Sequence, residues 1–185
     1  MLNDWLIPLL KKLECNSFID IGCGFGDHAG MVKELLPDVR VVGIDIAKGF
    51  IDEAKNTYPQ VVYKAVDILD KPFEKNEFDV AHTHGLLIHI QHDKILEALY
   101  HIMRIAKVGI FCESQGKETP GLLTYKPKEY WEKRTGRDKP DMTDLNTQYY
   151  FKHDYKEIFK QLGLKVKIIK DYKDINKTRI YKCQK

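Results

Sequence analysis

The sequence predicts an α/β fold, an open and mostly parallel sheet with helices packed on its faces, and three observations predict it. Short apolar, β-branched runs at residues 18–21, 39–44, 61–66, 78–83 and 108–112 alternate with stretches of helical periodicity. The first run breaks into alternating glycines, Gly22, Gly24 and Gly26, before a helical stretch opens at His28, the pattern of a buried strand turning sharply into a helix. The first three runs each end in an acid, Asp20, Asp45 and Asp67. In an open parallel sheet ligands bind beyond the carboxyl ends of the strands, so these acids share the ligand edge.

The elements follow in order. Leu6, Leu9, Leu10 and Leu13 recur at helical spacing and predict a short helix packed on the sheet beside the ligand entrance. Asp4 and Pro8 fit neither a signal peptide nor a membrane span. The glycine loop reads G-x-G-x-G with an acid two residues ahead, whereas the dinucleotide fingerprint is G-x-G-x-x-G. Asp20 puts a negative charge where a pyrophosphate would lie, so a ligand carrying an ammonium suits the loop better. Cys23, inside it, reads as a small residue. Residues 28–36 form the first crossover helix, stopped by Pro37.

Asp45 ends the second strand, where it either accepts from two ribose hydroxyls or caps the helix 47–56. Asp67-Ile68 repeats the pattern after the third strand. Asp79 opens the fourth strand, far from the ligand edge, and reads as structural. Ile95, Leu96, Leu99, Ile102 and Met103 share one face of a helix over 93–105, with Asp93 as its N-cap. Glu113 follows the fifth strand on the rim of the acids, as a contact for substrate. Residues 116–149 then break the rhythm with Pro120, Pro127 and Pro140 and read as a lid or substrate-binding insertion. A helix over 154–162 closes on Gly163, and strands 164–169 and 178–183 are joined by a turn too short for a crossover, so they pair antiparallel.

The loop FIDIGCGFGD, the acids Asp45 and Asp67, and the segment His84 to Ile90 after an aromatic-Asp strand opening resemble the class I S-adenosylmethionine-dependent methyltransferases. The resemblance runs from about Phe18 to Cys183 and leaves the insertion outside. It implies a Rossmann-like three-layer sandwich with a seven-stranded, mostly parallel sheet in the order 3-2-1-4-5-7-6, strand 7 antiparallel, within one domain spanning 1–185. It implies S-adenosyl-L-methionine as cofactor, with S-adenosyl-L-homocysteine as product, held by Asp20, Gly22, Gly24, Gly26, Asp45, Ile46, Asp67, Ile68, Thr83 and His84. A small amide or acid is more usual in the family at His84.

Methyl transfer needs a base only where the acceptor loses a proton, and His84, His89 and His153 are the candidates. Local packing beside the adenosine is the other reading of His89. Alternation puts His82 and His84 on one face of the strand and Thr83 on the other. A metal site from His82, His84, His89 and His92 lacks an interleaved carboxylate or cysteine, so no metal is expected. Tyr130, Trp131 and Tyr150 are candidates to contact the acceptor, or else anchor the insertion.

Lys plus Arg of 30 against Asp plus Glu of 27 leaves a net charge of +3, too small to suggest nucleic acid as partner. The scattered Cys15, Cys23, Cys112 and Cys183 suggest neither a disulfide framework nor a zinc site. The expected protein is a cytoplasmic monomer or homodimer, without membrane association, that methylates an O or N of a small molecule such as a sugar. The alternatives are an inactive cofactor-binding subunit supporting a partner enzyme, and a nucleotide-dependent oxidoreductase, which Asp20 and the glycine spacing oppose.

Overall fold

The computed structural model describes residues 4–114, 121–124, 147–151, 153–172 and 178–185, with backbone alone for 121–124 and 147–150. Strand β1 (Ser17–Ile21) is buried on both faces from Phe18 onward, as a central parallel strand requires, with Asp20 its one buried acid. It pairs in parallel with β2 (Arg40–Asp45) and β4 (Phe78–His84). Outside these lie β3 (Val62–Ala65) on β2 and β5 (Ala106–Ser114) on β4, both parallel. After a short β6 (Gly121–Thr124) and β7 (Thr147–Tyr150), the sheet is completed by β8 (Lys165–Asp171) and β9 (Thr178–Gln184). β9 runs antiparallel to both β5 and β8. The order β3-β2-β1-β4-β5-β9-β8 is the 3-2-1-4-5-7-6 arrangement expected, because β9 is the seventh strand of this sheet and β8 the sixth.

Helices cover both faces. On one, α1 (Leu6–Lys12), α2 (Asp27–Leu35) and α3 (Lys48–Thr57) bury Leu6, Leu10, Val32 and Ile51 against Phe18, Val41, Val80 and Ile110. On the other, α4 (Ile95–Ile105) and α5 (Tyr155–Gln161) bury Leu99, Ile102 and Phe159 against Ile19, Val42, Ala81 and Phe111. Adjacent residues of β1 thus serve opposite layers, the period-two rule of a strand. Phe111 stacks on Phe159 at 5.7 Å between ring centroids, both fully buried.

One local expectation changes. α4 starts at Ile95, with Lys94 at the cap and no side-chain bond there, so Asp93 is not the N-cap. The turn 91–94 already closes with the Gln91 carbonyl accepting from the amides of Lys94 and Ile95, which takes over the role of the side chain. β6 and β7 pair antiparallel within and at the end of the predicted insertion, and the other residues of that insertion lie outside those described. Asp79 is structural, as expected: its carboxylate accepts from the amides of Asn16 and Ser17 at 2.9 and 3.0 Å and from Lys107 Nζ at 2.7 Å.

Candidate active site

The carboxyl edge of β1, β2 and β3 builds the site. After Ile21 the chain must reverse into α2, and Gly22, Gly24 and Gly26 all take positive φ to do so. The amides of Gly22 and Cys23 both donate to the Ile44 carbonyl, at 2.8 and 2.9 Å, which docks the loop on the end of β2. A side chain at Gly24 would meet nothing, so the loop has open space on that side, although of the three glycines Gly22 lines the cavity described below and Gly24 and Gly26 do not. At Gly26 a side chain would run into Tyr63, whose hydroxyl donates to the Gly26 carbonyl at 3.2 Å.

Asp45 does more than either expectation for it. Oδ2 accepts from the Gly24 amide at 3.0 Å and Oδ1 from the Ala47 amide at 2.9 Å, so one carboxylate holds both the loop and the entry to α3. The Ile46 amide adds a third backbone contact, and Asp45 lines a cavity of about 260 Å³. Burial raises the Asp45 pKa, opposed by the amides of Ala47 and Gly24. Gly22, Ile46, Asp67, Ile68 and His89 share the cavity wall. Ile46 is 68% exposed there, an apolar side chain with no protein partner for most of its surface, while Ile68 is buried opposite. Asp67 Oδ1 accepts from the Leu69 amide at 2.9 Å and starts a 3-10 turn, Ile68–Asp70.

Other expected site residues face elsewhere. Asp20 is 1% exposed and lies behind the glycine loop, with Oδ1 at 2.8 Å from Nδ1 of the fully buried His82, the residue directly across in β4. Burial pushes Asp20 up to about 6, against the pull of His28, and pushes His82 down to about 3. A neutral His82 therefore donates its Nδ1–H to the carboxylate. Thr83 does not reach the cavity either: it is fully buried on the opposite face of β4, against Glu113. Glu113, expected to meet substrate, is buried with both oxygens engaged by Thr83 and the Leu87 amide. The cause is register, because β5 runs on past Cys112 and keeps Glu113 inside the sheet. His84 is exposed and stacks on His28 at 4.8 Å.

His153 is buried, and its Nε2–H donates to the Ile90 carbonyl at 2.9 Å. With the Phe151 amide donating to Ile88 at 2.7 Å, it stitches the chain after the insertion to the turn that carries His89. That bond anchors His153, which does not line the cavity. Tyr130 and Trp131 lie outside the described residues, and Tyr150 is described only as backbone at the end of β7. Sequence reasoning passed over His28, whose signal was its place in the first turn of the helix after the glycines. It also passed over Gln91 and Lys94, exposed residues on the cavity wall with no motif around them.

Residues 18–109 match the family described as a methyltransferase domain. An uncharacterized methyltransferase of Schizosaccharomyces pombe is 25% identical over 139 residues, covering 69% of this chain and 48% of that protein. An O-methyltransferase of Aspergillus sclerotiorum is 32% identical over 97 residues, covering 49% of this chain and 36% of that one. The chain spans about a third to a half of the length of these curated relatives. Among solved structures, magnesium protoporphyrin IX methyltransferase from Synechocystis with bound S-adenosylmethionine superposes at a TM-score of 0.66 and 15% identity, over 98% of this chain and 77% of that one.

Proposed function

Because residues 18–109 match a methyltransferase-domain family and the chain has the fold of solved S-adenosylmethionine-dependent methyltransferases, we propose that it is a class I enzyme of that kind and transfers a methyl group from S-adenosyl-L-methionine to an oxygen or nitrogen of a small-molecule acceptor. The observation that carries this reading is the cavity itself, where the bare Gly22, the carboxylates of Asp45 and Asp67 and the apolar faces of Ile46 and Ile68 converge. These donor types fit a nucleoside: an acid for the ribose hydroxyls, an acid for an exocyclic amine and two branched side chains for the faces of the base. When bound, the cofactor supplies the electrophilic methyl carbon.

The chain's own work is to orient and to exclude water. Asp45 holds the glycine loop in the shape that leaves Gly24 open. Ile46 covers the cavity mouth with apolar surface. His89, half-buried on the cavity wall, is the histidine placed to take a proton from an acceptor.

Calorimetric titration of S-adenosyl-L-homocysteine tests the reading. Micromolar binding is expected, weakened by about 1–3 kcal/mol in Asp45→Ala for loss of a charged acceptor, and by less in Asp45→Asn, which keeps one oxygen for the backbone amides. No binding by the unmodified protein would sink it.

A further inference from the structure

We infer that Asp20, His28 and His82 form a binding site for a divalent transition-metal ion, zinc by the chemistry of its donors. The three come from three elements. Parallel pairing sets Asp20 of β1 directly across from His82 of β4, and the glycine loop returns the chain so that His28, in the first turn of α2, lies over both. One ligand atom from each falls within 4.8 Å of the other two. The His28 and His82 rings meet edge to face at 5.4 Å.

A simple buried Asp–His pair does not use up these groups. The 2.8 Å contact engages Oδ1 and Nδ1, yet Asp20 Oδ2 and His82 Nε2 have no hydrogen-bond partner although both residues are at most 1% exposed. The two bare atoms point to opposite sides of the pair and cannot share one ion, so the cation is placed where donors converge, between Asp20 Oδ1, His82 Nδ1 and the His28 ring, in place of the hydrogen bond between the first two. Two imidazoles with one carboxylate suit zinc or its first-row neighbours, whereas calcium and magnesium take oxygen. Zinc ligands at about 2.0–2.2 Å stand roughly 3.4 Å apart. The half-buried His28 ring, on the outer side, is the one that shifts inward to meet this spacing, and a water completes the shell. The fourth strand's own histidines lack this set because the carboxylate arrives from β1 and the second imidazole from α2.

None of the three residues lines the cavity described above, so the ion would sit behind the glycine loop and clamp β1, β4 and α2 together. The inference does not rest on the methyltransferase reading. Its test is titration of cobalt(II) into metal-free protein, read by visible ligand-field absorption, with zinc as competitor. One equivalent is expected, displaced by zinc, and zinc should raise the melting temperature. His28→Ala, a change at a half-buried position, should weaken binding at least tenfold, while His92→Ala, at an exposed histidine, should leave it unchanged. No cobalt spectrum in the unmodified protein would overturn the inference whatever the variants do. So would binding that survives His28→Ala and is lost in His92→Ala, which would assign the metal to surface histidines.

Discussion

Thr83 Oγ1 lies 2.6 Å from Glu113 Oε1, both residues fully buried, and this contact joins the ends of β4 and β5 beneath the turn that carries His89. The second oxygen of Glu113 accepts from the Leu87 amide at 3.1 Å, so a single carboxyl holds the 3-10 turn Leu87–His89 to the sheet. Glu113→Ala strands the Thr83 hydroxyl and that amide, and is expected to cost about 2–4 kcal/mol in denaturant unfolding, the sum of two unmet buried groups. Glu113→Gln, which keeps a donor and an acceptor in the same shape, should cost less than half as much. Equal losses in the two variants would show that the turn does not hang on this side chain.

Glu113 also sets a pH dependence. Burial pushes its pKa from 4.5 up to about 8, against the bonds from Thr83 and Leu87. The folded state therefore keeps a proton that the unfolded chain releases, and between about pH 4.5 and 8 the native form binds more protons. Stability from this group is complete below 4.5 and falls as pH rises toward 8. Comparing Glu113→Gln with the unmodified protein across that window should show the variant losing less stability on alkalinisation. Parallel curves would exclude a buried neutral Glu113.

Two glycines of one loop should separate folding from binding. Gly24 has φ +53 with open space beyond it, so Gly24→Ala is expected to cost about 1 kcal/mol in stability for the left-handed backbone, while weakening S-adenosyl-L-homocysteine by tenfold or more where its methyl enters the ligand space. Gly26 has φ +79 and packs against Tyr63 and Ala54, so Gly26→Ala should lose about 2–4 kcal/mol of stability. Thermal unfolding and calorimetry on both variants check the pair, and a reversed ranking would refute it.

His89 and His153 are both conspicuous histidines, but only His89 lines the cavity. Once an acceptor is known, His89→Gln is expected to remove the acidic limb of the pH–rate profile and to lower kcat by about 10²–10⁴-fold, the usual scale of a general base. His153→Gln, which loses a backbone anchor at Ile90, should lower the melting temperature and leave the shape of the profile unchanged.

The core offers a control remote from the site. Phe111 stacks on Phe159 between the sheet and α5, and Phe111→Ala should cost about 3–5 kcal/mol, with the ligand affinity of the folded fraction preserved.

The edge at which ligands bind was legible in the linear chain because its signals are local: an apolar run, glycines that permit positive φ and an acid at the end of each of three strands; the strand order came from the resemblance those motifs carry. The antiparallel β9 follows from the last connection alone, too short for a crossover. Gly22, Asp45, Ile46, Asp67 and Ile68, which the resemblance implies at the cofactor, line the cavity, while Asp20, at the end of the first run, does not. Roles that depend on which face a side chain takes were not legible. Alternation set Thr83 against His82 and His84 without saying that Thr83 faces Glu113 and α5's layer while His82 faces Asp20 and α2's. Glu113 looked like a rim acid because the true length of β5 depends on its pairing with β9, 60 and more residues away. Asp20 meets His82 and His28 only because register and a helix turn bring three distant positions together, and no periodicity in the chain encodes that distance. Local backbone chemistry thus determined the α/β class and the ligand edge, and three-dimensional packing, which sets burial and hence partner and pKa, decided what each polar side chain does there.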